Sequence, residues 1–205
     1  SITLDPSRWM LYCHLCDLLC FVIENHSFRS QYYILTPNVC NHVGSLLHAR
    51  NKHLRLAALR VLRACVSSHN QFTYRHLMQL DVMGHVLALL QREAPRDNLV
   101  SSACLGLCEQ LRHDNVRPLL NDMAQKHGDI LEALRTDPVA GQGIGALIQQ
   151  QARNQTDSSS DSDDSVAHSP NVDEAAAEQD YFDSEEALDV QPSTEESPGL
   201  EGLAP

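Results

Sequence analysis

Between Leu54 and Ser68 the chain places Leu56, Leu59, Leu62, Cys65 and Val66 at the spacing of one helix face, with Arg55, Arg60 and Arg63 on another. The same pattern returns 43 residues away in both directions. Upstream, Leu11, Cys13, Cys16, Leu19, Val22 and Ile23 stand opposite Leu54, Leu56, Leu59, Leu62, Cys65 and Val66; downstream, Leu99, Leu105 and Cys108 stand opposite Leu56, Leu62 and Cys65. A second helical segment precedes each later copy, over Val39–His48 and Val82–Arg92, and pairs Val43, Leu46 and Leu47 with Val86, Leu89 and Leu90 at the same shift. A shift of 44 carries Val86, Leu87 and Leu90 onto Ile130, Leu131 and Leu134, a third occurrence. Shorter helices open the units around Tyr32–Leu35, Tyr74–Leu80 and Val116–Lys126. Pro37, Pro95 and Pro118 fall between or at the start of segments, where proline costs a helix least.

One short and two longer helices repeating about every 43 residues predict an all-α, armadillo- or HEAT-like helical-repeat solenoid. Each unit has too little surface to bury its own apolar stripe, so neighbours must stack into a continuous core. The first unit contributes only its last helix, from near Pro6, and the chain opens on Ser1, so a fragment with further units upstream is expected. His26 and His69 are equivalent in the repeat, just past the last helix of a unit, where a cationic donor can meet free carbonyls. The final helix, Gly143–Arg153, keeps Ile144, Leu147 and Ile148 and then turns polar at Gln149, Gln150 and Gln151, the pattern of a capping end. The repeat domain is therefore assigned to residues 1–153.

Charge sets the remainder of the chain apart. The formal net charge of −12 is the sum of +3 over residues 1–153, which hold every Lys and Arg, and −15 over residues 154–205. Like charge with almost nothing apolar to bury predicts that 154–205 is a disordered, acidic, Ser-rich tail. Within it Tyr181 and Phe182, followed by Leu188 among acids, have the layout of a docking motif that folds on a partner. Ser158, Ser160 and Ser162 sit beside or three residues before acids, a substrate pattern for acidophilic kinases. On the repeat domain, Lys52, Arg55, Arg60 and Arg63 fall within about 140° of one another around a helix and form one cationic stripe. Such a stripe on the last helix of a unit faces the groove of an armadillo array and would receive an acidic or phosphorylated peptide, or the chain's own tail; its bland reading is a solvated face.

Other chemistry is weakly supported. Cys13, Cys16 and Cys20 with His14 have metal-ligand spacing, yet Cys13 and Cys16 align with Leu56 and Leu59, and free cysteine fills apolar slots. Neither a nucleophile elbow nor a Rossmann or P-loop spacing accompanies the 11 histidines or the Gly141, Gly143, Gly145 stretch, and His127-Gly128-Asp129 lacks the partner segments of a metallophosphatase. No catalytic residue, metal or cofactor is assigned. No apolar run approaches a membrane span, and the mildly basic front half is not a nucleic-acid binder of the usual strongly basic kind. Seven cysteines spread through helical pattern fit a reducing compartment, nucleus or cytoplasm.

The stretch from Asp17 to Leu35, with Ala58–Arg63, Phe72–Arg75 and Asn98–Ala103, resembles the regulatory subunit 3 family of protein phosphatase 4, also called SMEK or Falafel. The likeness is distributed over roughly Leu11–Leu134. It implies the carboxyl-terminal part of an armadillo-like central domain followed by an acidic tail. It also implies a non-catalytic scaffold that places the phosphatase 4 catalytic subunit, with a second regulatory subunit, on phosphoprotein substrates. The family's EVH1-like domain has no counterpart among these residues, and Gly106 and Cys108 stand where bulkier apolar residues are usual in the family. The alternative is an unrelated armadillo-type adaptor for protein–protein contacts.

Overall fold

The computed structural model describes residues 5–26 and 37–160. Among them are eight α-helices and no strand: α1 (Pro6–Asn25), α2 (Pro37–Leu46), α3 (Lys52–Ser67), α4 (Gln71–Gln79), α5 (Val82–Glu93), α6 (Leu99–His113), α7 (Arg117–Arg135) and α8 (Gly141–Ser160). Asparagines start three of them. Asn51 Oδ1 accepts from His53 N at the head of α3, and Asn70 Oδ1 accepts from Phe72 N and Thr73 N at the head of α4. Asn98 caps α6 in both directions, accepting from Val100 N and Ser101 N while Ser101 Oγ accepts from Asn98 N. Each cap satisfies amide groups that the first turn leaves free.

The helices stack as the period requires. One layer runs α1, α3, α6, α8, each against the next, and a second runs α2, α5, α7. The layers meet where α2 packs on α3, α5 on α6 and α7 on α8, while α4 lies against α5 and α7. Equivalent positions bury equivalently: Val43, Leu46 and Leu47 are 1–9% exposed, Val86, Leu89 and Leu90 0–3%, and Leu131 and Leu134 2%. At about 2 kcal/mol for each fully buried large aliphatic side chain, this shared seam supplies the main drive for the units to associate.

Three details depart from the sequence expectations. The short and long helices of the last unit are fused into α7, with only His127 (φ −129°, ψ 28°) leaving the helical region between them. Second, α8 continues past Arg153 to Ser160, so residues 154–160 are helix rather than disordered tail. Asn154 is buried, its Nδ2 donating to Asn115 Oδ1 at 2.8 Å, and Gln151 Nε2 donates to Asn121 Oδ1. Third, the turn after α3 is closed by backbone rather than by a cationic imidazole. His69 adopts φ 51°, its N–H donates to Val66 O, and Tyr74 Oη donates to the same carbonyl at 2.9 Å. The short helix expected at Tyr32–Leu35 lies outside the described residues.

α1 differs from its counterparts in what it exposes. Leu11, Leu15, Leu18 and Phe21 are 44–57% exposed. One repeat later the same positions are Leu54, Ala58, Val61 and Ala64, all buried against α1 and α2. In α6 three of them are Ser101, Cys104 and Leu107, buried again. α1 is thus apolar nearly all round, the composition of a helix enclosed on every side.

Candidate surface on the first helical layer

Repetition arranges side chains across the first layer in rows. Cys13, Leu56 and Leu99 occupy one repeat position on α1, α3 and α6, and together line a groove of about 570 Å³. One turn further along lies the row Asp17, Arg60, Ala103, and beyond it Cys20, Arg63, Gly106. Arg60 and Arg63 edge the groove, Trp9 closes its α1 side with its ring stacked on that of His53 (centroids 6.2 Å apart), and Leu99 is 69% exposed. An exposed leucine this large, beside an apolar floor and two guanidinium groups, is the kind of surface that binds rather than the kind that solvates.

The four basic residues expected to act together do not. Arg60 and Arg63 lie on the exposed face of α3, and Lys52 is exposed in its first turn outside the groove lining. Arg60 Nη2 meets Asp17 Oδ1 at 2.8 Å in an ion pair at least half open to water, and Arg63 Nε donates to Gln110 Oε1. Such an exposed pair is worth under about 1 kcal/mol and exchanges readily. Arg63 passes beside Gly106, where a Cβ would come into ordinary van der Waals contact with Nη1 at 3.9 Å. Arg55 must be removed from the stripe. It turns inward, its side chain 12% exposed, and donates to Glu93 Oε1 at 2.6 Å. The helical wheel placed it at the edge of the cationic arc, and a carboxylate 38 residues away decides which way it turns.

Glu93 is the centre of a buried network. Its Oε2 accepts from Asn98 Nδ2 and its Oε1 from Arg55 and Arg92. Burial alone would push its carboxyl up, but the hydrogen bonds from Asn98 and Arg55, with the guanidinium charge, hold it below the ordinary carboxylate value. The network ties α3 to the junction of α5 and α6 and is structural.

The thiols are not poised for chemistry. Burial pushes Cys16 up to about 12, Cys40 to about 11 and Cys108 to about 12, and raises Cys65 and Cys104 as well. Among the described residues no three His, Cys, Asp or Glu side chains converge as metal ligands, and no helix is long and apolar enough to cross a membrane. Histidines instead mark the second layer, where His85 lies over Gly44 and edge-on to His48, and His127 meets Asp81 at 2.6 Å. Burial, His85 and Arg92 lower the pKa of His48, and burial lowers that of His76, whose Nε2 has no partner among the described residues. The fold therefore disfavours the protonated form of both rings relative to the unfolded chain, where they protonate near 6.5. Stability contributed by these groups is complete above that value and declines as pH falls below it. Melting temperatures measured from pH 7.5 down to 5.5 should fall, and a His48→Gln/His76→Gln variant should show a flatter dependence.

Of the remaining sequence-predicted residues, Ser158 and Ser160 fall in the last turn of α8. Ser162, Tyr181, Phe182 and Leu188 lie outside the described residues. The apolar row Cys13, Leu56, Leu99 was missed as a site, although a register of 43 applied twice to Cys13 would have found it.

Comparison with known proteins gives a family model, "Phosphatase 4 regulatory subunit 3", that matches residues 2–150. An uncharacterized protein of Schizosaccharomyces pombe is 29% identical over 132 residues, 64% of this chain and 16% of the relative. The Drosophila melanogaster protein named serine/threonine-protein phosphatase 4 regulatory subunit 3 is 29% identical over 103 residues, 50% of this chain and 10% of its own length. The chain thus spans about a sixth or less of the length of these relatives. No solved structure matches.

Proposed function

Because the chain belongs to the phosphatase 4 regulatory subunit 3 family, we propose that it is part of a non-catalytic regulatory subunit of a protein phosphatase 4 complex. In this reading its helical array holds the catalytic subunit, together with a second regulatory subunit, near phosphoprotein substrates in the nucleus and cytoplasm. The family match over residues 2–150 is the observation that carries the reading, since it spans nearly the whole helical array. The rows of side chains across α1, α3 and α6, in which Asp17, Arg60, Arg63 and Leu99 are exposed, support it as well, because stacked helices offer extended surface for contact. Tethering accounts for the activity without any catalytic group on this chain: holding enzyme and substrate together raises the effective concentration of one for the other into the range of about a millimolar.

The test is purification of the tagged full-length protein from its own cells, with mass spectrometry of what is retained. Recovery of the phosphatase 4 catalytic subunit, with hydrolysis of a phosphopeptide lost when that subunit is removed, is the expected result. A purified protein that brings down no phosphatase subunit, or that hydrolyses the phosphopeptide alone, would overturn it.

A further inference from the structure

The groove across the first layer has a ligand chemistry of its own. Its floor is the apolar row Cys13, Leu56, Leu99, and its rim is cationic through Arg60 and Arg63. Neighbouring helices pack about 9 Å apart, so the row from α1 to α6 is roughly 18 Å long, the reach of about six residues of extended chain at ~3.3 Å each. In an extended segment alternate side chains point the same way. Every second residue can therefore enter the apolar row while those between point out of it, within reach of the long arginine side chains at its edge.

The rim favours carboxylates, because Arg60 already holds one. Its partner is Asp17 of α1, and with both side chains at least half exposed that contact gives way to an incoming acid with little loss. Arg63 lies beside Gly106 and donates to the neutral side chain of Gln110, and no carboxylate is paired directly with it among the described residues. Asp17 and Glu24 stand in the adjoining cleft along the same two arginines, so a densely charged ligand gains less than one with a few acids and strong apolar anchors.

We propose that this groove binds an extended segment of a partner protein, about six residues long, in which bulky apolar residues alternate with acidic ones. The apolar side chains seat over Leu56 and Leu99, and the acids meet Arg60 and Arg63. This deepens the regulatory reading by naming what the array would recognise in a partner, and rests on that reading only for its biological use.

A fluorescein-labelled peptide Leu-Glu-Phe-Glu-Leu-Glu-Gly, titrated against the whole chain by fluorescence anisotropy, tests it. The expected dissociation constant is micromolar, rising at least tenfold for Arg60→Glu/Arg63→Glu and for Leu99→Ser, and weakening as salt is raised. The substituted side chains are exposed, and unchanged helical circular dichroism and melting temperature would certify that each variant is folded. Unchanged affinity in both folded variants overturns the proposal, as does equal affinity for a peptide with Ser in place of Leu and Phe, which would reveal charge attraction only. Loss of peptide binding with the phosphatase subunit still retained would uphold the groove and separate it from the subunit contact. Peptide binding without retention of any phosphatase subunit would uphold the groove and sink the regulatory reading alone.

Discussion

Glu93→Ala should cost about 3 kcal/mol, because breaking a buried ion pair from one side strands the other charge. Arg55, 12% exposed, would lose the carboxylate that pairs with it among the described residues, where its Nε already has no hydrogen-bond partner. Asn98 would lose the acceptor that steadies the cap of α6. For a chain of this size the melting temperature should drop by roughly 6–12 °C. The carboxyl is held below its ordinary value in the fold. Its contribution is therefore complete above the ordinary value, begins to fall below it, and is lost as pH drops through the lowered value of the fold. The gap between the melting temperatures of the wild type and Glu93→Ala should narrow from pH 7 to pH 4. A variant as stable as the wild type at pH 7 would show that the network is solvated rather than structural.

Two glycines at the same repeat position should respond to substitution in opposite directions. Gly84 and Gly128 correspond at the shift of 44, and both lie in helices. A Cβ on Gly84 would sit well inside contact distance of the His127 ring and against Asp81, the pair that joins the second unit to the third. Gly84→Val must either push His127 off Asp81 or shift α7, at about 2–3 kcal/mol for overpacking and the lost contact. A Cβ on Gly128 meets nothing within 4 Å. Gly128→Ala should therefore stabilise by up to ~1 kcal/mol, the helix preference of alanine over glycine. Paired urea denaturation curves decide the matter: a Gly84→Val variant as stable as the wild type would mean that position 84 is not a docking contact between units, and a destabilised Gly128→Ala would mean that position 128 is not open.

Helix identity, order and stacking were legible because burial repeats. Leu47, Leu90 and Leu134 recur at shifts of 43 and 44 residues, and each is buried in the same seam between layers. What stayed hidden depends on contacts between units that periodicity does not encode. The inward turn of Arg55 answers to Glu93, 38 residues away, and the extension of α8 to Ser160 answers to Asn115, which gives Asn154 and Gln150 an acceptor. The same polar residues that signal a disordered segment when read alone become helix when a neighbouring helix offers partners for their amides. The fusion within α7 escaped notice for the opposite reason: Gly128, a usual breaker, is here accommodated in the helix after His127. The groove was half visible, since its arginines stood out by charge whereas its apolar row read simply as core.

The outermost described helices present unlike surfaces. α1 shows Leu11, Leu15, Leu18 and Phe21 to water, whereas α7 and α8 show Asp129, Glu132, Arg135, Gln149 and Arg153. Settling the first face on the second would strip water from charges with nothing in return. The stacking that joins the units therefore does not carry over from one of these faces to the other, and the oily face of α1 is matched only by another apolar surface.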